Sequence, residues 1–230
     1  MAGKTTYDDK IRAHIREVVQ RQQVQDVLHF TRLENLGHIL EHGLRSRADL
    51  SSEKFEFDVW VSDAELPSGD DTAVSVSISY FYPKMFEAKR RTAGGSAWAI
   101  LVLRSELLWE LHCLFYENSV LSNAVKRQNR KRYGGYALDR LFEDCSTGGA
   151  RGGTGYRVAH GLLPDCPTWP DSEVQVMEPI HPGYIRGVWI ETLDHEAFAR
   201  KTLDAAGRDE CATLVQPFEP RISAGRHRWG

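Results

Sequence analysis

Residues 27–44 read VLHFTRLENLGHILEHGL, and the fold hinges on the change of periodicity inside this stretch. Val27 to Thr31 is a short β-prone run, so alternation sends Leu28 and Phe30 to one side and His29 and Thr31 to the other. Two polar groups are thereby expected side by side, away from the core. From about Glu34 to His42 the spacing becomes helical, with Leu36, Ile39 and Leu40 inward. Gly43 is placed to end that helix in a left-handed conformation.

On the amino-terminal side, Ile11, Ile15, Val18 and Val19 predict an amphipathic helix over 7–26. On the other side, 46–71 is polar and irregular and reads as a long loop. AVSVSISY, residues 73–80, alternates strictly, with Val74, Val76, Ile78 and Tyr80 on one face and small serines on the other, where they leave room for a ligand. WAILVL, 98–103, reads as a central strand, and SELLWEL after it as a capped helix. Helical signals return near 120–130 and 136–143. STGGARGGTGYR, 146–157, holds five glycines and cannot pack without a heavy entropic cost, so a mobile loop is expected from about 146 to 172. EVQVM from Glu173 and YIRGVWIE from Tyr184 read as strands, a helix follows from about 194 to 206, and CATLV supplies a last strand. A flexible tail is expected from about 216. Strands and helices mix without regular alternation, which predicts one α+β domain over 1–230 with central mixed or antiparallel sheets flanked by helices.

Composition narrows the function classes. Of the 230 residues, 41% are hydrophobic and 27% charged, and no apolar run approaches the roughly 18 to 20 residues of a membrane helix. The opening MAGKTTYDDK lacks the apolar core of a secretory signal, so a cytoplasmic protein is expected. Cys113, Cys145, Cys166 and Cys211 are scattered, against both a zinc ribbon and a disulfide framework. His38 and His42 have the i, i+4 spacing of a zinc pair, but a third ligand is not evident and no metal is expected. Gly153-x-Gly155 lacks the strand and the remaining glycine of a dinucleotide fingerprint. The net charge is −3, yet Lys126, Arg127, Arg130, Lys131 and Arg132 concentrate five cations in seven residues, with Tyr133 beyond them. Such a cluster can follow a phosphate backbone while a tyrosine stacks on a base, or be a solvated helix face. Lys89, Arg90 and Arg91 carry the same two readings.

His29-x-Thr31 followed by Asn35-Leu36-x-x-Ile39-Leu40-x-x-Gly43-Leu44 resembles the opening of the DarT family of nucleic-acid ADP-ribosyltransferases at all eight named positions. SISYFYPKMF, Ser77 to Phe86, and the stretch from Pro164 to Ile185, with Pro-Thr, an acidic residue and a Glu-Val strand, resemble two later blocks of that family in the same order. Glu173 falls on the family's catalytic glutamate. The chain departs from the pattern at Asp171-Ser172, where Gln-Ala is common, and at Tyr82, where Asn is usual.

The resemblance implies an ADP-ribosyltransferase fold around an NAD+ cleft, NAD+ as co-substrate, and transfer of ADP-ribose to a base of single-stranded DNA or RNA. Glu173 is then the catalytic residue, and His29, Thr31, Asn35 and Leu36 hold the dinucleotide. Arg45 and Arg47 are candidates for the pyrophosphate, and Tyr80 or Tyr82 for packing on nicotinamide. Lys126, Arg127, Arg130, Lys131, Arg132 and Tyr133 are candidates for the nucleic acid. The family also implies a toxin of a toxin–antitoxin or phage-defence module, with an antitoxin that often carries a macrodomain. Modification of protein, and an inactive nucleic-acid-binding module, remain open as alternatives. The chemistry agrees: breaking the nicotinamide bond builds an oxocarbenium-like ribose, which one well-placed carboxylate can stabilise.

Overall fold

A computed structural model describes residues 7–52, 71–119, 131–145 and 155–218. Its frame is a seven-stranded sheet built from β1 (Asp26–Arg32), β2 (Val74–Ile78), β3 (Trp98–Arg104), β4 (Cys113–Tyr116), β5 (Glu173–Val176), β6 (Ile185–Ile190) and β7 (Ala212–Val215), in the order β4-β5-β2-β1-β3-β6-β7. All neighbours are antiparallel except β6 and β7, which run parallel. This is the α+β architecture expected. β3 is apolar and buried from Trp98 to Leu103 because it lies between β1 and β6 with both faces covered, and only Arg104 at its end is exposed.

The helices are α1 (Tyr7–Arg21), α2 (Leu36–His42), α3 (Arg47–Ser51), α4 (Pro83–Thr92), α5 (Leu107–Glu110), α6 (Gly135–Asp139), α7 (Tyr156–Ala159) and α8 (Leu193–Ala205). α1 opens with Asp8 and Asp9 and closes with Arg21, matching the helix dipole at both ends. It stops five residues before the expected boundary of 26, because Gln23 turns with φ 55° and lets Val24 enter the core. Gly43 ends α2 with φ 78°, and a Cβ there would meet the Ile180 carbonyl oxygen at 2.5 Å. α6 approaches α1 so closely that a Cβ on Gly135 would strike the His14 ring.

The main core lies on the face that carries Val27, Val74, Val76, Leu101, Leu103 and Val174. A smaller cluster of Leu28, Phe81, Phe86, Trp98, Ile100, Val102, Trp189 and Phe218 covers the other face of the β1-β3-β6 half. His29 and Thr31 do face away from Leu28 and Phe30, but the expectation that they leave the core is corrected. They share a face with Val27, on the main-core side, and Thr31 is only 8% exposed.

Other boundaries change too. Within the expected 46–71 loop, Ser46 accepts the Asp49 N–H and caps α3. SELLWEL forms only the single turn of α5, with no side-chain cap. Part of the expected mobile loop, 155–172, holds α7 and a network around Arg157. Part of the expected tail is packed, because Phe218 is buried in the aromatic cluster. The expected helix at 120–130, the glycine-rich 146–154 and the tail beyond 218 lie outside the described residues.

Candidate active site between strands β1 and β2

β1 pairs with β3 along its whole length, but with β2 only through Val27–Ile78 and Leu28–Ser77. The two strands therefore part at His29. The ring of His29 spans the gap, with Nδ1 2.9 Å from the Ser75 carbonyl oxygen. A carbonyl only accepts, so Nδ1 carries the hydrogen and the neutral ring offers Nε2 as an acceptor. Enclosure pushes the His29 pKa down to about 4, with the Ser75 hydrogen bond opposing this and the Lys89 charge adding to it. The ring is thus neutral at physiological pH, although part of the residue still reaches the surface.

Ser75 works in two directions. Its carbonyl orients His29, and its Oγ donates to Glu173 Oε1 at 2.6 Å. Ser75 and Glu173 share a sheet face, since Ser75 is opposite Gln175 and Val76 opposite Val174. The serine face of β2, read as room for a ligand, is the face on which Glu173 stands. Glu173 opens β5 and is partly exposed. The two residues before it are fastened to the exit of β4: Ser172 Oγ donates to the Glu117 carbonyl at 2.8 Å, and Asp171 accepts from Asn118 and from the Ser119 N–H. The departure from the family pattern at Asp171-Ser172 thus has a structural use.

Thr31 accepts from Asn35 Nδ2 at 3.2 Å in a buried pair, so Asn35 holds Thr31 in place from the start of α2. Leu36, expected at the dinucleotide, is fully enclosed in the main core and serves packing; its place in the helical stripe accounts for that. Arg45 Nε donates to the His42 carbonyl at the end of α2, and Arg47 lies 3.9 Å from Asp71. Of the two tyrosines, Tyr80 is buried, while Tyr82 keeps exposed surface at the start of α4. Lys131, Arg132 and Tyr133 are described; Lys126, Arg127 and Arg130 lie outside the described residues.

The sequence singled out Lys89 and Arg90 only as part of a basic cluster, and it gave no sign of the roles of Arg157 and Gln175. Lys89 on α4 stands over the Phe30 ring at 5.1 Å and close enough to His29 to affect its protonation. Its neighbour Arg90 is instead structural, forked onto Glu191 at 2.9 and 2.8 Å. Arg157 donates to the carbonyls of Leu163, Pro164 and Cys166 and to Thr168 Oγ1, organising the approach to Glu173. Gln175, on the Glu173 face, is 2% exposed, and its Oε1 has no hydrogen-bond partner among the described residues. Among the described residues, no group of three or more His, Cys, Asp or Glu could hold a metal ion, and no helix is long and apolar enough to cross a membrane.

The same fold occurs in solved DarT structures. DarT of Thermus sp. 2.9 in complex with carba-NAD+ aligns with a TM-score of 0.55 at 12% identity, over 84% of this chain and 96% of that one. The same protein in complex with ADP-ribosylated ssDNA aligns with a TM-score of 0.56 at 14% identity, over 84% and 95%. DarTG of Thermosipho africanus in complex with ADP-ribose gives 0.52 at 12% identity, over 86% of this chain and 52% of that longer one. At such low identity, the structural match shows a shared fold. No family model matches the sequence, and no curated protein matches it.

Proposed function

We propose that this chain is an NAD+-dependent mono-ADP-ribosyltransferase that modifies a base in single-stranded DNA. The observation that carries the reading is the double use of Ser75, which joins a neutral His29 to Glu173 where β1 and β2 separate. The fold supports it, since DarT proteins of this fold have been seen with carba-NAD+ and with ADP-ribosylated ssDNA.

In this reading His29 Nε2 accepts from a ribose hydroxyl and Thr31 lies beside it. Tyr82 packs on nicotinamide, and Arg45 or Arg47 meets the pyrophosphate. Glu173 stabilises the positive charge that grows on the nicotinamide ribose as its C–N bond breaks. Nicotinamide leaves with the bonding electrons, a nitrogen of the base bonds to the anomeric carbon, and Glu173 takes the proton that nitrogen releases. Burial keeps His29 neutral, so it adds no positive charge beside the forming cation.

Nicotinamide release and labelled NAD+ with separate pools of single-stranded DNA, RNA and protein test this. Label on DNA, lost in Glu173→Gln, is expected; label confined to protein assigns the alternative acceptor, and unchanged turnover in Glu173→Gln defeats the mechanism. A toxin role in the cytoplasm, opposed by a macrodomain antitoxin, belongs to the same proposal. Its test is growth arrest on induction that Glu173→Gln abolishes and a co-expressed macrodomain relieves.

A further inference from the structure

Strand order sets two different neighbours beside Glu173. β2, with Ser75 and through it His29, lies on one side of β5, and β4 lies on the other. The residue of β4 directly across from Glu173 is Tyr116. Directly opposed residues share a sheet face, with Cβ atoms about 4.5–5.5 Å apart. Cys113 and Phe115 point the other way, into the main core, so Tyr116 belongs to the Glu173 face by alternation.

Tyr116 is half-buried and carries a guanidinium: Arg132 Cζ lies 4.9 Å from the ring centroid. Arg132 closes the basic run, and two contacts bring its backbone to this edge. The Phe115 N–H donates to the Arg132 carbonyl at 2.8 Å. Arg140 Nη2 donates to the Lys131 carbonyl at 2.6 Å while its Nε pairs with Glu117 at 3.0 Å. The backbone of the exposed Lys131 is thereby fixed at the same sheet edge as Tyr116.

We infer that Tyr116, with Arg132 across its face, is the stacking seat for the acceptor nucleobase, and that Lys131 meets the adjoining phosphate. The inference rests on the transferase reading above and adds where the second substrate sits. Aromatic rings and guanidinium planes hold unpaired bases by stacking, with cations along the strand. In this arrangement a base on Tyr116 adjoins Glu173 on the side away from Ser75. The donor ribose and the acceptor thus reach the carboxylate from the two neighbouring strands.

The test uses the whole chain, NAD+ and a short mixed-sequence single-stranded DNA. Nicotinamide released and ADP-ribosylated oligonucleotide are measured in the same tube, and oligonucleotide binding is titrated separately without NAD+. Tyr116→Ala should lower the ratio of DNA product to nicotinamide, and weaken oligonucleotide binding, roughly 5- to 150-fold, the loss of one base–aromatic stack. Tyr116→Phe, which keeps the ring, should restore both. An unaltered ratio and affinity in Tyr116→Ala overturns the inference, as does a Phe variant as defective as Ala. If the wild type releases no nicotinamide, the transferase reading fails, while the titration still reads Tyr116.

Discussion

Ser75 Oγ donates to Glu173 Oε1 at 2.6 Å across strands whose residues are 98 positions apart in sequence. The carbonyl of Ser75 accepts from His29 at the same time. One residue thus fixes both the carboxylate and the imidazole of the proposed cleft, by its side chain and its main chain separately. The two functions can be separated by mutation.

Ser75→Ala removes the hydroxyl and keeps the carbonyl. Glu173 then loses a hydrogen bond to a charged group, about 1.5–3 kcal/mol. Ser75 is a positioning residue here, so kcat for nicotinamide release should fall roughly 10- to 100-fold, while KM for NAD+ moves little. Ser75→Thr, which retains the hydroxyl, should recover most of the loss. A rise in KM with kcat intact would place Ser75 in ground-state binding instead.

The depressed pKa of His29 makes a prediction with a definite sign. The unfolded chain gains this proton near 6.5 and the folded chain only near 4. Stability from this group is therefore complete above about pH 6.5 and lost as pH falls toward 4. NAD+ affinity should stay level down to about pH 5 and decline below it, as Nε2 takes up a proton. An inflection in the NAD+ binding profile near the ordinary histidine value would contradict the neutral, enclosed ring. NMR titration of the His29 ring reads its pKa directly.

The sequence carried some of this and not the rest, for physical reasons. Alternation in Val27–Thr31 tells that His29 and Thr31 point together, and helical spacing tells that Leu36 and Ile39 point inward. Neither says that the sheet is covered on both faces, so the polar pair was expected outside the core. The Ser75–Glu173 contact depends on β2 pairing with β5, a long-range choice that local pattern does not encode. β4 is only four residues long at the sheet edge, too short for a periodic signal, and Tyr116 was hidden with it. The Arg157 network was missed because the neighbouring glycines read as mobility.

Arg157 holds the segment before Glu173 through four acceptors, from Leu163 to Thr168. Arg157→Met keeps much of the aliphatic bulk and removes the donors, leaving partly buried carbonyls unsatisfied. Hydrogen exchange should rise over 155–172 well before the sheet strands respond, and global stability should fall by about 2–3 kcal/mol. Turnover should fall with it, because Glu173 starts the strand this segment feeds. Unchanged exchange in 155–172 would remove Arg157 from that role.

Phe218 packs on Phe86 and Trp189, with ring centroids 5.4 and 5.5 Å away, and the Trp189 Nε1 donates to the Gln216 carbonyl at 2.9 Å. Phe218→Ala should therefore cost roughly 3 kcal/mol, the typical penalty for emptying a buried phenylalanine site. Urea denaturation measures it. A cost below about 0.5 kcal/mol, the usual range of surface changes, would return Phe218 to a loose tail.

Gln175 is the one buried side chain on the Glu173 face whose carboxamide oxygen has no hydrogen-bond partner among the described residues. Such a group costs about 1–3 kcal/mol, and methionine has nearly its shape without the polar atoms. Gln175→Met should therefore raise the melting temperature. If turnover falls in the stabilised variant, the amide is kept for the reaction at the expense of stability, as buried polar groups near active sites can be. A variant that is more stable and equally active would show that Gln175 only fills space behind Glu173. A Gln175→Met variant less stable than the wild type would contradict the prediction that this buried oxygen costs stability.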